Sequence, residues 1–188
     1  MWQGRTVTAA SDRFVEVYER FYQPVYLYCR RRTSLAKVDD AVAETFLAAW
    51  RLIEEIPVGD AALPWLYKVA YRRLMHQWRS GSRRHRLEKR LASLGVEMTP
   101  TPDDYAMSRH DSQLILQAAS LLRRADQEIL RLSLWEELDH DDVAAVLDIN
   151  NVAVRQRLSR ALKNLTREHN RLETRQVTTP AAQKGGAW

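Results

Sequence analysis

Arg155, Gln156, Ser159, Arg160 and Lys163 are spaced so that a helix running through them carries all five on one side. Their chemistry is that of a polyanion reader. A guanidinium pairs with two acceptors on a guanine edge, a carboxamide pairs with adenine, and surplus cations neutralise phosphates. Val154, Leu158, Ala161, Leu162 and Leu165 supply the apolar stripe that such a helix needs in order to pack. A solvated basic face on an ordinary packing helix is the commoner fate of this pattern, but the setting is more specific. In "LDHDDVAAVLDINNVAVRQRLSRALKNL", Asp139 can cap a short helix whose Val143, Ala144 and Leu147 point inward. "DIN" then turns, and Asn150 caps a second helix that opens on Asn151. Short helix, turn and outward basic helix together make the helix-turn-helix pattern.

A second cationic set lies in "LPWLYKVAYRRLMHQWRS". Lys68, Arg72, His76 and Arg79 form a continuous stripe on one helix face, bordered by Tyr67, Tyr71 and Trp78. Cations track a phosphate backbone and rings receive unstacked bases, so this combination suits single-stranded or melted DNA. Trp65, directly after Pro64 at the helix start, reads as a core anchor. His76 has no second His, Cys or carboxylate at ligand spacing, and so belongs to the stripe rather than to a metal site or a general base.

The third set has the opposite sign. In "DDAVAETFLAAWRLI", residues 39–53, Asp40 and Glu44 stand one turn apart, opposite Val42, Phe46 and Ile53, with Leu47 and Arg51 continuing the outer edge. An ordinary solvated surface is one reading. The other is a docking face, because an acidic patch edged with apolar side chains suits a basic protein helix.

The elements that must hold these sets are all helical. Phe14, Tyr18, Phe21 and Val25 recur at helical spacing, as do Val42, Phe46, Ala49 and Ile53, and Leu66, Val69, Ala70 and Leu74; no alternating strand pattern of useful length occurs. Breaks fall at Thr33-Ser34, over Pro57 to Pro64, and along a polar stretch from Ser80 to about His110. The reading is an all-α chain of two small helical domains: residues 10–80, a flexible linker 81–112, a helix-turn-helix domain 113–170 with helices over Leu114–Leu138 and Asp141–Glu168, and a disordered tail 171–188.

Composition narrows the function classes. Lys+Arg 29 against Asp+Glu 24 in 188 residues makes the chain basic, and 45% hydrophobic residues with 6 Trp give it cores. The one cysteine, Cys29, excludes an internal disulfide and any Cys-based metal site; beside Arg30, Arg31 and Arg32 it is expected to be a buried, inert helix residue. There is no apolar signal-peptide core and no uninterrupted run of membrane-spanning length, so the expected location is the cytoplasm, without membrane insertion. An enzyme acting on nucleic acid ranks low: there is no Gly-rich phosphate loop and no nucleophile with a matched base. His85, His110, His140 and His169 are scattered among polar residues. Asp139, Asp141 and Asp142 lack the other ligands of a calcium loop and fit a helix start instead. No cofactor or metal is expected.

With these motifs in this order, the chain resembles a bacterial sigma factor of the extracytoplasmic-function (ECF) type, in the sigma-70 family, over about Asp12 to Glu168. "DRFVEVYERFYQPVYLYCRRRT" and "DDAVAETFLAAWR" are similar to that type's first conserved region and to its polymerase-docking helix. "LPWLYKVAYRRLMHQWR" is similar to the helix beside the minus-ten element, and "DQEILRLSLWEELDHDDVAAVLDINNVAVRQRLSRALKNL" resembles the region that reads the minus-thirty-five element. In the last, Val154, Arg155, Arg157, Arg160 and Ala161 keep the family rhythm.

The resemblance implies a non-catalytic promoter-specificity subunit whose partners are core RNA polymerase and promoter DNA. Members of this type are often held inactive by an anti-sigma protein, although nothing in the sequence identifies one. The resemblance assigns Asp40, Glu44, Phe46, Leu47 and Arg51 to polymerase docking, and Lys68, Tyr71, Arg72, His76 and Arg79 to the opened minus-ten strand. Asn151, Arg155, Gln156, Ser159, Arg160 and Lys163 fall to the minus-thirty-five duplex. The loop "EIPVGDAALP" would capture a base flipped from the minus-ten element, offsetting a few kcal/mol of lost stacking. The chain departs from the family at Arg72, usually Asn, at His76, usually Asp, and at Asp148, usually Gly. A stand-alone helix-turn-helix regulator is the alternative, and it predicts tight duplex binding without polymerase and a symmetrical operator.

Overall fold

The computed structural model describes residues 3–89 and 109–177, and all regular structure among them is helical. In chain order the helices are α1 (Gln3–Arg30), α2 (Val38–Arg51), α3 (Ala62–Lys89), α4 (Arg109–Leu121), α5 (Arg124–Leu134), α6 (His140–Leu147) and α7 (Asn151–Val177). They form two compact units: α1, α2 and α3 with residues 141–149 in one, and α4, α5 and α7 in the other. None of the described helices is long and apolar enough to cross a membrane.

The first unit closes because its three long helices each turn an apolar stripe inward. Val17, Phe21, Val25, Tyr28 and Cys29 of α1 are buried, as are Val38, Ala41, Val42, Phe46 and Ala49 of α2 and Leu66, Ala70 and Leu74 of α3. Cys29 is buried, as expected from sequence. Thr45 also sits inside, its hydroxyl donating to the Ala41 carbonyl at 2.7 Å, which satisfies the polar atom within its own helix. At the end of α1, Arg32 is only 2% exposed. Its guanidinium lies 3.5 Å from the centre of the Tyr28 ring and donates to the Tyr28 carbonyl at 3.0 Å. Tyr28 in turn stacks on Tyr67 of α3 with centroids 4.5 Å apart and planes at 17°. Tyr67, expected to border the cationic stripe, is therefore a core residue.

Phe14 and Tyr18, expected in the buried stripe of α1, sit at its edge instead. Tyr18 is exposed and Phe14 half-buried, and both contact Phe46 of α2, with centroids at 4.8 and 6.5 Å. The break at Thr33-Ser34 is present, but α3 does not stop at Ser80; it continues to Lys89. The expected linker residues 90–108 lie outside the described residues.

In the second unit one continuous helical stretch was expected over Leu114–Leu138; two helices occur, broken at Leu122-Arg123. No Gly or Pro marks that break. It is held by Gln127, whose carboxamide donates to the carbonyls of Ser120 and Leu122 at 3.1 and 3.0 Å, satisfying acceptors that the end of α4 leaves open. Asp126 of α5 accepts from the Asn164 amide of α7 at 3.2 Å, and Leu114, Ala118, Ile129, Leu132, Val154 and Ala161 are buried among these helices. The tail expected from residue 171 is helical as far as Val177; 178–188 lie outside the described residues.

Candidate nucleic-acid and protein interfaces

The basic reading helix is α7. Asn150 precedes it, and the Asn150 side-chain oxygen accepts from the Ala153 N–H at 2.8 Å, the N-cap expected from sequence. Fixed by that cap, α7 buries Val154 and Ala161 completely, half-buries Leu158 and Leu165, and leaves Arg155, Gln156, Ser159, Arg160 and Lys163 exposed together; Asn151 is half-buried. Leu162 is a correction. Placed by sequence in the buried stripe, it is 42% exposed, because it lies about 80° round the axis from Val154 at roughly 3.6 residues per turn. In α6 the buried residues are Val143 and Val146, while Ala144 and Leu147, expected inside, are half-buried.

The second cationic set lies on α3. Arg72 and His76 are exposed, Lys68 and Tyr71 half-buried, and Arg79 lies on the same helix, its side chain outside the described residues. Asp148, which follows α6 and belongs to the same compact unit, meets this stripe. Lys68 Nζ donates to Asp148 Oδ1 at 3.1 Å, and Arg72 Nη2 is 3.6 Å from Oδ2. The hydrogen bond from Lys68, then the charges of Lys68 and Arg72, hold the Asp148 carboxyl below its ordinary range. Asp148 has φ 58°, a left-handed conformation that Asp tolerates better than most residues with a side chain.

On α2, Asp40, Glu44, Leu47 and Arg51 all face outward along one edge. Phe46, grouped with them by the resemblance, is only 3% exposed. It is enclosed by the rings of Phe14, Tyr18 and Tyr22, so it props the helix from beneath instead of meeting a partner. Trp50, which the sequence reading passed over, is 40% exposed and packs edge-on against Phe14 at 5.2 Å. Its position three residues after Leu47 was the signal that could have found it.

Between α2 and α3 the loop "EIPVGDAALP" is pinned at both ends. Ile53 and Ile56 are buried, Arg13 of α1 donates to the Ile56 carbonyl, and Arg20 of α1 donates to the Asp60 carboxylate. Between those anchors Val58 stands 87% exposed, and Gly59 turns the chain at φ 71° with open space where a Cβ would lie; that φ is what favours glycine here.

Two family profiles match these helices: Sigma-70 region 2 over residues 17–84, and Sigma-70 region 4 over residues 112–165. The chain belongs to the sigma-70 family. Its matched regions and its relatives place it with the sigma factors of the ECF type. Among its relatives is the probable RNA polymerase sigma factor RfaY of Xanthomonas campestris, 30% identical over 169 residues, which cover 88% of this chain and 40% of the relative. Another is the ECF RNA polymerase sigma factor BldN of Streptomyces coelicolor, 26% identical over 87% of this chain and 62% of the relative. The chain thus spans less than two thirds of the length of either relative. The fold is similar to that of the sigma factor RpoE of Bartonella quintana in its co-crystal with the anti-sigma factor NepR, with TM-score 0.66, 19% identity, and coverage of 82% of this chain and 95% of that one.

Proposed function

We propose that this sigma factor acts in the cytoplasm as an alternative promoter-specificity subunit and divides its work among three faces. The outer edge of α2, with Asp40, Glu44, Leu47 and Arg51, docks on a basic surface of core polymerase. The α3 stripe, Lys68, Tyr71, Arg72, His76 and Arg79, holds the opened minus-ten strand, and the loop tip at Val58-Gly59 receives a flipped base. Asn151, Arg155, Gln156, Ser159, Arg160 and Lys163 of α7 read the minus-thirty-five duplex. An anti-sigma protein that covers these faces is the regulatory partner, a reading supported by the fold likeness to a sigma factor crystallised with one.

The observation that carries the proposal is the segregation of charge. Two outward cationic faces, on α3 and α7, occur with an outward acidic edge on α2, inside the spans matched by regions 2 and 4 in that order. A polyanion is attracted to the first two faces and repelled by the third, which leaves the acidic edge to a protein. Double charge reversal, Asp40→Lys with Glu44→Lys, tests this directly. Both residues are exposed, so the fold should survive; Asp40 lies in the first turn of α2, where a lysine opposes the helix dipole, so the melting temperature should fall by a few degrees while affinity for core polymerase falls at least about tenfold. Unchanged core affinity would remove the docking role.

A further inference from the structure

Arg13 and Arg20 lie seven residues apart on α1, two helical turns, and therefore on one face. Both reach more than one helix away along the chain to the same loop. Arg13 donates to the Ile56 carbonyl, with its other amino nitrogen 4.0 Å from Glu54, and Arg20 donates to the Asp60 carboxylate. The two contacts bracket Pro57, Val58 and Gly59. Pro57 has a fixed φ, and buried Ile53 and Ile56 hold the near side of the loop to the core. What protrudes is a short apolar tip on a tied base.

We infer that Arg13 and Arg20 are positioning residues for base capture: a two-point clamp that holds the Val58-Gly59 tip ready for a base flipped out of melted DNA. The inference rests on the reading of this loop as the base-capturing segment. Neither arginine needs to touch DNA. Without the clamp, the loop must be ordered when the base arrives, and that ordering cost is taken from the stacking gained on capture. A tip already held gives up less. The clamp acts on capture alone, since neither residue lies on the outer edge of α2 or in the α3 stripe.

Holoenzyme binding to fork-junction DNA tests the clamp, using DNA whose minus-ten strand carries a single abasic site stepped through each position. For the wild-type factor one position should stand out, losing about tenfold in affinity when its base is absent. In Arg13→Ala with Arg20→Ala that penalty should shrink to about twofold, because a loose loop gains little from the base it captures. Loss of two positive charges lowers affinity for every DNA alike and cancels in the ratio. The charge swap Arg20→Asp with Asp60→Arg should restore most of the contribution of Arg20, and core affinity should stay at the wild-type value throughout. A wild-type penalty retained by the double alanine variant would overturn the clamp while leaving base capture in place. A wild-type factor with no position-specific penalty would overturn base capture itself, and the clamp with it.

Discussion

Lys68 Nζ donates to Asp148 Oδ1 at 3.1 Å, and Arg72 approaches the other oxygen at 3.6 Å. Arg72 and Asp148 are two of the three positions at which the chain departs from the resemblance, and here they face each other. Because neighbouring cations depress the carboxyl's pKa, the pairing is complete above the ordinary Asp value of 3.8 and is lost only as the pH falls through the depressed one. Mild acid therefore does not release it. A carboxyl-detected NMR titration of the intact protein should place the Asp148 midpoint below 3.8, and Lys68→Ala should move it back upward. Asp148→Asn keeps a residue suited to the left-handed turn and removes the charge, so affinity of the free factor for single-stranded DNA should rise a few-fold at low salt, with the gain vanishing as salt is added.

The Asn150 cap makes a separate prediction. Its side chain holds the Ala153 N–H at 2.8 Å, one of four donors that the start of α7 leaves open. Asn150→Ala should lower the stability of the second unit by about 1 kcal/mol, read by chemical denaturation, while Asn150→Asp should be close to neutral.

Tyr67 and Tyr71 are separated by one turn of α3 and should behave oppositely. Tyr67 is stacked in the core against Tyr28, so Tyr67→Ala should destabilise the first unit by about 3 kcal/mol in a denaturant melt. Tyr71 is half-buried beside the cationic stripe. Tyr71→Ala should cost the melt less than Tyr67→Ala does and weaken binding of single-stranded minus-ten DNA by about 1–3 kcal/mol.

On α7 the exposed side chains divide by chemistry. Arg155→Ala and Gln156→Ala should each cost about 1–3 kcal/mol against the preferred minus-thirty-five sequence and relax the preference at one base pair. Lys163→Ala should weaken binding to every sequence about equally and reduce the salt slope by about 1, as expected for a phosphate contact. Quantitative binding across a set of minus-thirty-five variants at several salt concentrations separates the two outcomes.

How far the sequence disclosed these features depended on how local each one is. Helical spacing located α2 and α7 and their outward faces, because one periodic stripe decides both what packs and what is left outside. The Asn150 cap was legible for the same reason, being made within three residues. Tyr67 was misplaced because its enclosure depends on a ring from α1, and Leu162 because a stripe read from spacing has no sharp edge; spacing put Phe46 inside, and only the resemblance moved it to the docking face. The break at Leu122-Arg123 carries no helix-breaking residue; the Gln127 side chain that holds it follows four residues later. Most distant were the bonds from Arg13 and Arg20 to the loop, about forty residues away, which no local pattern announces.

Run-off transcription with purified bacterial core polymerase on a pool of genomic promoter fragments, with and without this sigma factor, tests the central claim most directly. New start sites that appear only with the factor, preceded by shared minus-ten and minus-thirty-five elements, are the predicted result. Tight binding of the factor to duplex DNA, with no binding to polymerase and no new transcript, would contradict it and favour a stand-alone regulator.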